Sequence, residues 1–270
     1  GVKIVNDNTY RFSELVVLND NLEKPALIQS YPFPWKEFDF QLSHEMGHNF
    51  GLMHANAWSC SGILYGDYCF ESEYANHFDL MGKGSYSGHY NGYFKKRLGW
   101  LLPSEILSID SSGSYTINPL EMQGGIKYAE IITPGNIRYG IEVRRSIGFD
   151  ARLGENVVPD ARSNLNGIFV NKIDNLDSNH TALLDFSPNL PANYPMSQMT
   201  LNLLGNNNLF PYLDDPINRI TIGQVTAVSP SSVSFNVSIG ELPHSTPSIT
   251  THPQNRTTTE GQSASFTCSA

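Results

Sequence analysis

Apolar residues recur every fourth position at Phe38, Leu42, Met46 and Phe50, the spacing of one face of an α-helix. Asp39 is a competent N-cap and Gly51 a stop, so a helix is predicted from about residue 39 to about 50, with that stripe buried. Upstream, Phe12–Leu18 and Ala26–Tyr31 read as strands. The second is open to two readings, an edge strand or a strand that pairs with an extended peptide along a cleft. Residues 55–78 show no helical period and read as a loop. Gly92–Gly99 is predicted to be a short helix with Lys95, Lys96 and Arg97 in its last turn, a solvated face that complements the helix dipole. From Leu102 onward the texture changes to short apolar runs separated by turn residues: 115–118, 127–132, 139–144, 167–170, 181–186, 219–225 and 233–239. Such a series predicts an antiparallel β-sandwich or barrel. The polar stretch Pro188–Pro216 is too long for a hairpin loop and is expected to fold against the sheet as an irregular excursion.

The predicted helix carries the chemistry. Residues 44–54 read H-E-x-x-H-x-x-G-x-x-H. Residues four apart on a helix lie about 40° apart in azimuth and about 6 Å apart in rise, so His44 and His48 share a face and can offer two imidazoles to one ion. Glu45 is rotated by about 100° and can overlook the ion's open side as a general base. Gly51 permits the left-handed turn that lets His54 return as third ligand, leaving a fourth tetrahedral position for water. One catalytic Zn²⁺ is therefore expected on His44, His48 and His54. His180 and the acidic residues Asp174, Asp177, Asp185, Asp214 and Asp215 form no recognisable calcium loop, so a structural Ca²⁺ has no support beyond their presence.

Composition narrows the partners. A net charge of −9 and a pI near 5.3 argue against nucleic acid or an anionic membrane as partner. No apolar run reaches the length of a membrane span. At 270 residues, two folding units are the natural expectation.

The extended zinc motif followed by the turn Asp79-Leu80-Met81-Gly82 resembles the metzincin metallopeptidases. The segment His44–Asn56, the Cys60–Cys69 loop and Lys95/Lys96 to Trp100 are similar to the gametolysin-like branch, with further likeness at Tyr139–Arg145 and Gly148–Asp150. The resemblance covers most of residues 26–225. It implies His44, His48 and His54 as ligands, Glu45 as base and Met81 as a hydrophobic floor. It implies an α+β fold: a metzincin-type catalytic domain over 1–102, lacking the family's upstream strands and first helix, then an antiparallel β-sandwich over 103–240. Residues 241–270 read as a Pro-rich linker followed, at Glu260–Cys268, by a stretch that resembles the opening of an immunoglobulin-like domain. Some metzincins place an oxyanion-stabilising tyrosine after the Met turn; Tyr86, His89 and Tyr90 lie there, with plain packing as the default. The function implied is a secreted, monomeric zinc endopeptidase acting on extracellular or matrix proteins. The alternative is a silent peptidase-like protein that binds such surfaces. Given an extracellular setting, Cys60 and Cys69 are expected to form a disulfide, their rival role being extra metal thiolates.

Overall fold

The computed structural model describes residues 15–17, 26–28, 35–60, 69–82, 88–151, 153, 165, 167–174, 178–184, 212–240, 257–259, 261–263 and 265. Helix α1 (Trp35–Asn49) begins four residues before the expected cap. Strands β1 (Leu15–Val17) and β2 (Ala26–Ile28) pair antiparallel as a separate two-stranded ribbon.

The centre of the molecule is a seven-stranded sheet built from β3 (Ala55–Cys60), β4 (Cys69–Ser72), β5 (Ile106–Ser108), β7 (Tyr128–Ile132), β8 (Arg138–Glu142), β9 (Phe169–Ile173) and β10 (Thr181–Leu184), in the order β4-β3-β10-β9-β8-β7-β5. It is mixed: β10 runs parallel to β3 and β5 parallel to β7, with the remaining pairs antiparallel. A second sheet, β11-β12-β13-β6, is antiparallel throughout, formed by β6 (Gly113–Ile117), β11 (Tyr212–Asp215), β12 (Ile220–Ser229) and β13 (Ser232–Ile239).

Sequence pattern explains the layering. In β13, Val233, Phe235 and Val237 are buried while Ser234, Asn236 and Ser238 are half-exposed, the alternation of a sheet with one wet face. Every residue of β8, β9 and β10 is buried, because both faces of the large sheet are covered. One face presents Ala129, Ile131, Ile141 and Val170 to Ile222, Val233 and Phe235 of the small sheet, with Ile141 directly opposite both Ala129 and Val170. On the other face Tyr128 and Ile173 pack with Leu80, Met81, Tyr93 and Phe94, which belong to the 79–82 turn and to helix α2 (Gly92–Arg97). This second interface fixes the candidate site.

A buried polar knot ties the layers. Arg144 is almost wholly enclosed and reaches Glu121 (3.1 Å), Glu142 (3.2 Å), Asp150 (2.5 Å) and the Phe78 carbonyl (3.1 Å). Glu142 in turn accepts the Gly92 N–H at the start of α2. Burial works against ionising Asp150, but the Arg144 guanidinium beside it wins and holds its carboxyl below the usual range.

Four expectations are corrected. The α+β metzincin-type fold with a separate antiparallel β-sandwich does not hold: the described chain is sheet-rich, with 13 strands against one long and one short helix. Strands from either side of residue 102 share the same mixed sheet. Residues 55–78 are not a loop, since β3 and β4 pair there and join the sheet edge; a strand four to six residues long has no helical period to betray it. Within the helical stripe, Met46 and Phe50 are 36% and 46% exposed, because the core side of α1 is given to His44 and Gly47 instead. Lys95 is not solvated but buried. The expected immunoglobulin-like opening and its linker lie almost wholly outside the described residues, as do Tyr86, Asp177, Asp185, Cys268 and the 188–211 stretch.

Candidate metal centre

Helix α1 ends in a Schellman arrangement. Leu52 N–H donates to the Gly47 carbonyl (3.0 Å) and Gly51 N–H to that of His48 (2.9 Å), with Gly51 at φ +83°. A side chain at position 51 would have to adopt a conformation that L-residues rarely hold. The chain thereby reverses over Leu52 and Met53, whose N–H donates to the Asn179 carbonyl (2.7 Å). His54 is delivered to the start of β3, where Ala55 N–H meets the Met81 carbonyl (2.8 Å).

The three histidines converge. Their ring centroids are 4.8 Å (His44–His48), 5.0 Å (His48–His54) and 5.6 Å (His44–His54) apart. One nitrogen from each lies within 4.8 Å of the other two. Each Nδ1 is already spent. His44 Nδ1 donates to the Leu80 carbonyl (2.7 Å) and His48 Nδ1 to the Leu52 carbonyl (2.8 Å). A carbonyl can only accept, so both rings carry their proton on Nδ1 and keep an Nε2 lone pair. His54 Nδ1 meets Glu73 Oε1 at 2.6 Å, the carboxylate–histidine pairing that orients metal-binding imidazoles. Burial holds the His44 imidazole down to about 4, and His48 and His54 beside it push the same way, so it is neutral when it must bind a cation. Three imidazole nitrogen donors with an outward-facing side suit Zn²⁺, and the residues present fit that ion.

The turn behind His44 is rigid. Asp79 Oδ1 accepts Met81 N–H and Asp79 Oδ2 accepts Asn91 N–H, both at 2.6 Å. Burial pushes the Asp79 carboxyl up to about 7, opposed by those two N–H bonds. Met81 is fully enclosed and lies under Gly47 of α1, where an added Cβ would collide with its Sδ and press on Tyr90. Met81 thus packs against the helix that carries His44 and His48, and Gly47 is the residue that lets helix and turn approach so closely.

Glu45 is half-buried, and its carboxylate has no hydrogen-bond or ion-pair partner among the described residues. The expected oxyanion candidates divide differently. Tyr90 O–H donates to the Ser43 carbonyl (2.6 Å) and is a packing residue. His89 contacts Lys95 and Asp150. Tyr74 takes their place beside the triad: its ring lies 3.7 Å from that of His54 and 5.9 Å from that of His44. Its φ of +62° is a strained conformation for a non-glycine residue, held by its N–H bond to Asn56 Oδ1 (3.0 Å). Burial raises the Tyr74 phenol, and the charges of Glu73 and Glu45 add to the effect, so it stays protonated as a donor.

Glu73 and Tyr74 were missed because they lie within residues 55–78, which read as a loop. The signal was the cysteine pair. Cys60 and Cys69 form a disulfide at the loop end of the β3–β4 hairpin, and the register Ala57↔Ser72 brings residues 73 and 74 back to the start of β3. A second group, Glu71, Asp174 and His180, also gathers its ligand atoms within 4.8 Å. Its members are already paired, Asp174 with Lys172 and Glu71 with Asn56.

Glu73→Gln is expected to weaken zinc affinity by about 10–100-fold while leaving stability almost unchanged, since Glu73 is an exposed partner. Competition with a chromogenic chelator measures it; equal affinity would reduce Glu73 to an ordinary surface carboxylate.

Comparison of the chain with protein-family models, curated proteins and solved structures returns no match to any of them.

Proposed function

We propose that this chain is a zinc-dependent endopeptidase, with His44, His48 and His54 as the ligands and Glu45 as the general base. The reading rests on one observation: three imidazoles converge with every Nδ1 committed elsewhere, next in sequence to a carboxylate, Glu45, that has no partner among the described residues. It is drawn from the site and not from the fold. Zinc held there supplies Lewis acidity toward a peptide carbonyl. Glu45 takes a proton from the attacking water and returns it to the leaving amine as the carbon–nitrogen bond breaks. Tyr74, protonated and with its ring against that of His54, can donate to the oxygen that gains charge. Leu80 and Leu52 carbonyls and Glu73 keep the rings aimed, so little reorganisation is needed when the ion binds. The Cys60–Cys69 disulfide supports an oxidising compartment, and with it a secreted enzyme.

Cleavage of an unfolded generic protein, assayed with and without 1,10-phenanthroline, tests the proposal. Hydrolysis that the chelator abolishes and added zinc restores is the expected result. No cleavage by fully zinc-loaded protein would overturn the reading.

A further inference from the structure

A cavity of about 680 Å³ borders helix α1 and the 79–82 turn, the two elements that also frame the candidate metal centre. One wall is Leu42 and Ser43, the helical residues just before His44; another is Leu80, whose carbonyl holds the His44 ring. The mouth carries Trp100 and Phe149, 53% and 72% exposed. Its size is that of a pocket for a sizeable ligand group.

Its lining is unusual for an apolar-lipped pocket. Lys127 and Lys95 both line it and are only 2% and 9% exposed. An ammonium has three protons to donate. Lys127 Nζ gives one to the Pro119 carbonyl (3.0 Å), and Lys95 Nζ gives one to His89 Nδ1 (2.9 Å). Neither forms an ion pair with a carboxylate among the described residues. Because His89 Nδ1 accepts from Lys95, its Nε2 carries a proton and adds a neutral donor to the lining.

Burial lowers the Lys127 ammonium, and the charges of Glu105 and Glu121 oppose that without an ion pair. The acidic groups nearby are committed elsewhere. Glu105, which also lines the cavity, accepts the Leu102 N–H (2.9 Å). Glu121, Glu142 and Asp150 gather on Arg144, and Glu142 and Asp150 also accept backbone N–H groups. Burial, and after it the Arg144 charge, pull the Lys95 ammonium down to about 8; the field of these three carboxylates opposes that, but their oxygens do not reach it. Two buried cations with open donor positions, facing a cavity, are costly unless an anion completes them.

We propose that this cavity receives a peptide carboxylate, bound by Lys127, Lys95 and the His89 ring, so that the enzyme selects an acidic group adjoining the cleaved bond. The proposal deepens the peptidase reading and names its substrate class. Two sources share that chemistry, an Asp or Glu side chain and a free C-terminal carboxylate.

Binding is tested first on metal-free protein, which separates it from catalysis. N-acetylglutamate α-amide (side-chain carboxylate), N-acetylglutamine (terminal carboxylate) and N-acetylglutamine α-amide (no charge) are titrated against tryptophan fluorescence, with Trp100 at the mouth as reporter. Saturable binding of one or both acids at least 10-fold tighter than the neutral amide is expected, and the stronger acid identifies the source. Lys127→Met should abolish the difference and Lys127→Arg should retain part of it. If Lys127→Met does not fold, raised ionic strength on the unaltered protein must still erase the preference for the acid.

Peptides differing only in Glu or Gln next to the cleaved bond are then compared by kcat/KM on zinc-loaded enzyme. Acid binding without any cleavage would leave the pocket standing and remove the peptidase. Chelator-sensitive cleavage with equal kcat/KM for Glu and Gln peptides, and no acid binding, would overturn the pocket alone.

Discussion

Glu45→Gln is expected to bind zinc as tightly as the native chain while turnover falls by about 10²–10⁴-fold. The substitution is nearly isosteric and the two residues have similar helix propensity, so α1 should be undisturbed. Glu45 lacks a side-chain partner among the described residues, so no ion pair is broken; its backbone carbonyl, which accepts Asn49 Nδ2 (3.1 Å), is retained. What is lost is a site that can hold a proton between its departure from water and its arrival on the amine. Paired metal analysis and kcat/KM on one preparation check both halves. Near-native turnover would remove Glu45 from the chemistry, whereas loss of zinc would make it a ligand or a structural support.

Arg144→Met should destabilise the fold by about 3–5 kcal/mol, the range for removing one partner of a buried charge cluster. Three carboxylates would be left enclosed without their cation, and the Phe78 carbonyl without a donor. Glu121 is already pushed up to about 8 by burial and its contact with Asp150, so it takes up a proton most readily and softens part of the cost. The effect should reach the metal centre. Phe78 leads into the turn that aims His44, and Asp150 anchors the segment that enters α2. Chemical denaturation measures the first effect and zinc competition the second. A loss below about 1 kcal/mol would mean that water enters and solvates the carboxylates.

The gathering of the three histidines was far more legible than the fold. All three lie within eleven residues, and helical spacing alone brings His44 and His48 together, while Gly51 supplies the turn that returns His54. Runs such as 128–132 and 138–142 are apolar enough to announce strands. Their partners are another matter. The parallel pairing of β3 with β10 joins residues more than a hundred positions apart, and no local pattern encodes it. For the same reason residues 55–72 passed for a loop, and the fold for two separate domains. Met46 and Phe50 keep the helical period but face outward, because closeness to Met81 demands Gly47 on the inner side. Lys95 misled differently: a basic last turn commonly is a solvated one, and only the packing of α2 against the sheet shows this ammonium enclosed. Glu73 and Tyr74 could have been placed from the cysteine pair, had the hairpin it closes been drawn.

The most direct test of a three-histidine zinc centre is metal content after exhaustive dialysis, by mass spectrometry, for the native chain and for His44→Ala, His48→Ala and His54→Ala. One zinc per native chain is expected, with each variant weakened by more than the roughly 100-fold that follows loss of an outer-shell partner. Zinc-free native protein after loading, or a histidine variant that keeps its full zinc content, would contradict it.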